Sequence, residues 1–183
     1  MAQTGRQRPL VGEPLAIDLL NTRWVLDGVP GDLLEDLDGL RQWLEEAPLA
    51  PAHTPTTVML EHTRETRDLL SRLVAEPVCT TVEERLNTVL GHGSVRRLLH
   101  HGVPGSFEEF DDPSWGPAWL AVDNYLTLLE RRDRIRACAN PGCVLHFFDT
   151  SKNGSRRWCS MAGCGNRAKA ARHLGRSRAT SDG

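Results

Sequence analysis

The chain contains no run of about eighteen apolar residues, so nothing in it reads as a membrane-spanning helix. Its first 13 residues lack the apolar stretch of a secretory leader, which sets the expectation of a reducing cytoplasm where thiols persist. Also missing are a phosphate-cradling glycine loop, a nucleophile–base constellation and an open metal site, and their absence argues against an enzyme. His92, His100 and His101 are not spaced as a helical ligand pair, so solvated or capping roles are expected for them. What remains is ordinary: 183 residues, 39% hydrophobic and 25% charged, enough for a true core in one medium domain or a domain plus a small module.

Four of the five cysteines form two pairs of equal internal spacing. Cys138 and Cys143 bracket Ala-Asn-Pro-Gly; Cys159 and Cys164 bracket Ser-Met-Ala-Gly. Each tight, glycine-containing loop can turn two sulfurs inward, and two such loops make the tetrahedral thiolate set that structural Zn(II) prefers. An iron–sulfur cluster shares that ligand set. Two disulfides would not explain the repeated spacing. With four thiolates no position is left for water or substrate, so the metal is expected to be structural. Between the pairs, Val144 to Phe148 is strand-like, Asp149 to Gly154 is a turn in which Asn153-Gly154 tolerates positive φ, and Ser155 to Trp158 is a returning strand. Asn166 to Leu174 reads as a helix stopped by Gly175. Hairpin followed by helix is a treble-clef-like arrangement.

The run Arg156-Arg157-Trp158-Cys159-Ser160-Met161, followed by Cys164-Gly165-Asn166-Arg167-Ala168-Lys169, resembles the CGNR zinc finger. Leu15-Ala16-Ile17-Asp18-Leu19-Leu20-Asn21-Thr22 resembles the start of the ABATE domain, which accompanies that finger in bacterial proteins described as stress-induced transcription regulators. The resemblance implies a zinc-containing regulator with Cys138, Cys143, Cys159 and Cys164 as ligands. It is departed from at His146, where an aromatic or aliphatic residue is expected, and this raises the question of an extra ligand.

The net charge of −2 conceals a division: residues 1–130 carry 10 Lys and Arg against 21 Asp and Glu, whereas residues 131–183 carry 12 against 3. A basic block of this kind suits a polyanion, nucleic acid first. Lys169, Arg172, His173 and Arg176 recur at intervals of three and four and share a helical face; Arg167 lies on the adjacent strip. Arg156 and Arg157 add charge, and strand alternation directs one of them outward. Arg156, Arg157, Arg167, Lys169, Arg172 and Arg176 are therefore the candidate DNA contacts, with Asn166 or Arg167 able to reach a base edge. For Asn166 a role at the helix start is preferred, and for Trp158 a place in the small core. The competing reading docks the basic segment onto its own acidic domain.

Upstream, residues 1–13 read as a flexible start. From Pro14 a helix carries Leu15, Ile17, Leu19, Leu20, Trp24 and Val25 as an apolar stripe, with Asp18 and Asn21 on one face. Those two are expected to make structural hydrogen bonds or, alternatively, to line a ligand pocket. Gly28 to Gly31 reads as a chain break. A helix over 33–44 follows, interrupted at Gly39 and capped by Asp38; then come Thr56 to Ala75, and Thr81 to Leu90 with a Thr81…Glu84 capping box. Cys79 reads as a buried apolar residue. Residues 94–101 are a strand or short helix, and 102–114 a loop or hairpin tip. Trp119 to Arg131 is a helix with Leu120, Val122, Leu126, Leu128 and Leu129 inward, leading without a flexible linker into Cys138.

The expected architecture is mainly α: a helical ABATE-like domain over 14–131, a zinc finger over 132–176 made of a β-hairpin and a helix, and a disordered tail over 177–183. The expected function is DNA-binding transcription regulation with one structural zinc ion. The helical domain would serve a homodimer or a small-molecule effector. The alternative is a zinc-braced protein-interaction module.

Overall fold

A computed structural model describes residues 6–47 and 49–170. Among the described residues five numbered α-helices and three two-stranded antiparallel sheets follow one another, with a further α-helical segment at 166–170: α1 (Leu15–Leu20), β1 (Arg23–Leu26), β2 (Val29–Asp32), α2 (Leu37–Glu46), α3 (Thr57–Ala75), α4 (Thr80–Gly91), β3 (Gly93–His100), β4 (Val103–Phe110), α5 (Gly116–Leu129), β5 (Ile135–Ala137) and β6 (His146–Phe148). The architecture is a helical N-terminal region followed by a small treble-clef-like unit, as expected from the sequence.

The core is built where α5 packs against α1, α3 and α4. Ile17, Leu19, Leu34, Leu40, Trp43, Leu70 and Val82 are fully buried there. The inward face of α5 differs from the expected one. Val122 and Leu128 are buried as read, but Leu126 faces solvent, Leu120 and Leu129 are half-buried, and Ala118, Trp119, Ala121 and Tyr125 fill the face. Small alanines let three neighbouring helices approach closely, so size as well as hydropathy selects the buried positions.

The helix read from Pro14 through Val25 stops at Leu20. Asp27 and Gly28 both take positive φ, which closes a two-residue turn and pairs Leu26 with Val29. What looked like a chain break is a β-hairpin, and Trp24 lies on its first strand with the indole packed over Gly31. A second turn of the same kind at His101-Gly102 joins β3 to β4 and converts the expected loop into a strand.

Helix caps also differ in detail. Asp36, two residues before the expected Asp38, accepts from the Gly39 amide and starts α2; Gly39 sits in its first turn and does not interrupt it. Thr56 caps α3 through the Met59 amide. The Thr81…Glu84 box is not used, because α4 begins one residue earlier, after Cys79, without a side-chain cap. Cys79 is half-buried there, with its sulfur 3.5 Å from Thr81 Oγ1. That contact, aided by Arg72, lowers its thiol pKa.

Residues 6–13, read as flexible, are packed onto the domain. The buried Arg8 guanidinium bonds Asp18 at 2.9 Å and Glu46 at 2.5 Å.

Candidate functional site

The finger begins with β5 and β6, paired Ile135 to Phe148 and Ala137 to His146. The loop between them is the first cysteine pair: Cys138 N–H donates to Leu145 O and Cys143 N–H to Asn140 O, so the turn is closed by its own backbone. The expected hairpin between the two pairs does not form. Residues 155–158 are irregular, because β6 takes β5 as its partner.

Buried Asp149 organises that returning segment instead. It accepts from the amides of Ser151 at 2.9 Å and Arg156 at 3.0 Å and from the Arg136 guanidinium at 3.2 Å. The hydrogen bonds from Ser151, joined by those of Arg156 and Arg136, hold its carboxyl down at about 2. Of Asn153-Gly154, only the glycine takes positive φ.

The second pair opens a turn of π-helix, Met161–Gly165, with Ser160 Oγ accepting from the Gly163 amide. Residues 166–170 continue as α-helix to the end of the described residues. A Cβ at Gly165 would lie 2.8 Å from Sδ of Met161, whose exposed side chain would have to turn aside.

These two loops bring the sulfurs of Cys138, Cys143, Cys159 and Cys164 within 4.8 Å of one another, and all are free thiols. Cys143 and Cys159 sulfurs are 3.8 Å apart, and Cys159 and Cys164 sulfurs 3.7 Å. A Zn–S bond of about 2.3 Å gives a tetrahedron whose edges are about 3.8 Å. The four residues therefore form one zinc-binding site. Its surroundings donate to sulfur: the Cys159 amide to Cys138 at 3.5 Å, Asn140 Nδ2 to Cys164 at 3.3 Å and Arg167 Nη2 to Cys164 at 3.4 Å. Such donors offset part of the thiolate charge and orient the ligands. The Cys159 contact holds the Cys143 thiol down at about 5, while the same contact pushes Cys159 up and burial raises Cys138. Among the described residues this is the one cluster of three or more His, Cys, Asp or Glu side chains able to hold a metal ion.

His146 is not a ligand in this set. It sits on β6 with its backbone clamped by Asn21: the His146 amide donates to Asn21 Oδ1 and Asn21 Nδ2 donates to His146 O, both at 2.9 Å. Burial lowers its imidazole pKa. It also borders a cavity of about 460 Å³ shared with Trp24, Val25, Asp32 and Arg67, a feature unread in the sequence because it arises between the first hairpin, α3 and the finger.

Asn21 is fully buried and Asp18 nearly so. Asp18 accepts from Arg8, from the Gly12 amide and from the indole of Trp43. Neither residue lines the cavity beside His146, and both spend their polar atoms on buried hydrogen bonds. The finger is further held by Glu13, which accepts from the Phe148 amide and from Arg156, both at 2.9 Å. Trp24 touches both the helical core and the cysteine cluster.

The candidate nucleic-acid residues separate by environment. Arg156 is turned inward: it bonds Glu13 and the carbonyls of Trp158 and Cys159, and lies 4.2 Å over the Phe147 ring. Arg157 is exposed, its guanidinium 5.4 Å over Trp158. Arg167 is exposed and pairs with Asp27 at 3.3 Å, and Lys169 is exposed. Arg172, His173 and Arg176 lie outside the described residues. Asn166 donates to Ala162 O at 3.3 Å, the expected helix-start role. Of the three histidines read as solvated or capping, His92 ends α4, pairs with Asp111 and stacks on Trp115, whose other face takes His62. No helix among the described residues is long and apolar enough to cross a membrane.

Compared with known proteins, residues 134–178 match the model of the CGNR zinc finger. Residues 13–130 match the ABATE model, described as a putative stress-induced transcription regulator. A search of curated proteins gave no match. The matched families are regulatory and zinc-finger families, not enzyme families. Because the second match spans more than half of the chain and the first adds the four cysteines in their observed geometry, this protein belongs to the ABATE family and carries a CGNR zinc finger.

Proposed function

We propose that this protein is a cytoplasmic DNA-binding transcription regulator whose finger contacts DNA through its basic face. The observation that carries the reading is the exposure of Arg157, Arg167 and Lys169 around the zinc site, in a segment where 12 Lys and Arg face 3 Asp and Glu. Zinc fixes the start of the helix that bears Arg167 and Lys169, and Arg172 and Arg176, outside the described residues, add two further cations to the same basic segment of the sequence. Each cation that neutralises a phosphate releases a counterion, so binding weakens as salt rises. Arg156 acts indirectly, by anchoring the finger. The helical domain then serves dimerisation or effector sensing in response to stress.

The test is enrichment of fragmented genomic DNA on the zinc-loaded chain at two salt concentrations. One motif that survives the higher salt supports a sequence-specific regulator. No enrichment with zinc retained rejects it, and a parallel RNA pool tests the other nucleic acid.

A second reading has its own observation. Arg167–Asp27 and Arg156–Glu13 pair the basic finger with the acidic domain, which suits a zinc-braced interaction module. On that reading an Arg167→Ala, Arg172→Ala variant loses thermal stability and nucleic-acid affinity is absent from the start.

A further inference from the structure

The β3–β4 hairpin stands apart from the rest of the molecule. Its sixteen residues form a sheet of their own. Contact with the body is at the root, where Gly93 lies against Trp119 and Phe110 meets the Trp119 ring at 5.7 Å. Beyond the root, Val95 is 44% exposed, Leu98 41%, Leu99 74%, Val103 64% and Phe107 44%. A lone two-stranded hairpin is marginal in water, and its exposed apolar side chains divide between its faces, Val95 and Leu99 on one and Leu98, Val103 and Phe107 on the other.

Register divides the arm into two faces. One carries Ser94, Arg96, Leu98 and His100 opposite Glu109, Phe107, Gly105 and Val103. Its charges are already matched by the Arg96–Glu109 bond at 2.7 Å, and Leu98 lies over Gly105. The other carries Val95, Arg97 and Leu99 opposite Glu108, Ser106 and Pro104. There Arg97 and Glu108 sit diagonally, and neither has an ion-pair partner among the described residues.

That diagonal is self-complementary. A twofold axis lying in the face and running along the arm places β3 of each copy over β4 of the other. Each copy's Arg97 then lies over the other's Ser106, one pleat from its Glu108 and within reach of it, with Leu99 over the other's Pro104. Edge-to-edge growth is disfavoured: β4 lacks an N–H at Pro104, and an antiparallel β3–β3 pairing centred on the strand brings Arg96 and Arg97 of both copies together.

We propose that the β3–β4 arm is a dimerisation element that takes a second copy of this chain through the face of Val95, Arg97, Leu99, Pro104 and Glu108. Eight residues at about 3.3 Å each give a face roughly 26 Å long and about 10 Å wide. That is well short of the ~800 Å² per partner of a standard interface, so the dimer is weak and concentration-dependent. The assignment goes beyond the DNA-binding reading and does not require it.

Sedimentation equilibrium of the full, zinc-loaded chain over a wide concentration range tests it. The wild type should show a reversible monomer–dimer equilibrium. Arg97→Glu alone and Glu108→Arg alone should each weaken it by about tenfold or more. The double variant, or an equimolar mixture of the two single variants, should restore it. Leu98→Lys, on the other face, should leave it unchanged. All of these positions are exposed, and unchanged circular dichroism verifies the fold.

A chain monomeric at every concentration overturns the proposal, as does a dimer indifferent to both single reversals or one broken by Leu98→Lys. DNA affinity is measured separately, so a monomer that binds DNA rejects only the arm, and a dimer without DNA affinity rejects only the regulator.

Discussion

Asn21→Ala tests how the two modules are joined. The Asn21 side chain is fully buried and offers both its groups to one residue, His146, on β6 of the finger. Truncation to alanine leaves the His146 amide and carbonyl without these partners at a half-buried junction. A buried polar group left unsatisfied costs about 1–3 kcal/mol, so two of them at a half-buried junction, where water recovers part of the loss, should cost about 2–4 kcal/mol. At roughly 2–4 °C per kcal/mol for a chain of this size, the melting temperature should fall by about 4–16 °C. Asn21→Asp should be at least as damaging, since it keeps the acceptor, loses the donor and sets a buried carboxylate against a carbonyl. Calorimetry measures the shift, and hydrogen exchange at the His146 amide locates it: exchange should accelerate there and in β6 more than in α3. Unchanged protection at His146 and a melting temperature within about 2 °C of wild type would refute the clamp as a coupling element.

Chelation of zinc, or Cys159→Ser, should unfold the finger while the helical core survives, because binding on the order of 10 kcal/mol is what stabilises so small a unit; loss of β5–β6 amide protection with helical ellipticity largely retained is the expected signature. Zinc added back near pH 7 should release protons, since the thiols of the unfolded, metal-free finger titrate near the ordinary value of about 8.5 and must be deprotonated to bind; a pH-indicator titration counts them. His53 is buried with Nδ1 unpartnered, and burial holds its pKa below the ordinary 6.5. Folding thus favours the neutral ring, its contribution is present above about pH 6.5, and it is lost as pH falls because the unfolded chain takes up the proton. Wild type should lose stability relative to His53→Phe between pH 7.5 and 5, and a pH-independent difference between them in denaturant melts would contradict this. Gly31→Ala places a Cβ 2.5 Å from the Trp24 indole, which touches both cores; a loss of about 1–3 kcal/mol with altered tryptophan emission is expected, and an unshifted unfolding midpoint would show that the indole moves freely.

Local chemistry was legible where one short stretch carries it whole. The repeated spacing of Cys138–Cys143 and Cys159–Cys164 implies the tetrahedron found in the fold, and α3 is found where its periodicity and Thr56 put it. The β3–β4 hairpin is one of two readings the sequence leaves open, whereas the first hairpin is hidden: Asp27-Gly28 is a strong turn dipeptide, obscured by the helical hydropathy of the residues before it. The β5–β6 pairing was missed for another reason. The strand read at Val144–Phe148 pairs instead with Ile135–Ala137, ahead of the first cysteine pair, while the return segment bonds Asp149 and Arg136, contacts that no local pattern announces.

The sequence by itself determined the zinc ligands, the helical class and the split between an acidic domain and a basic finger, because spacing, periodicity and charge are properties of neighbouring residues. Tertiary structure alone decided that Arg156 faces inward and Arg157 outward, that Asn21 grips His146 across 125 positions of sequence, and that β3–β4 stands clear of the core. Such contacts depend on which surfaces are buried together, and burial is settled only when distant segments compete for the same space.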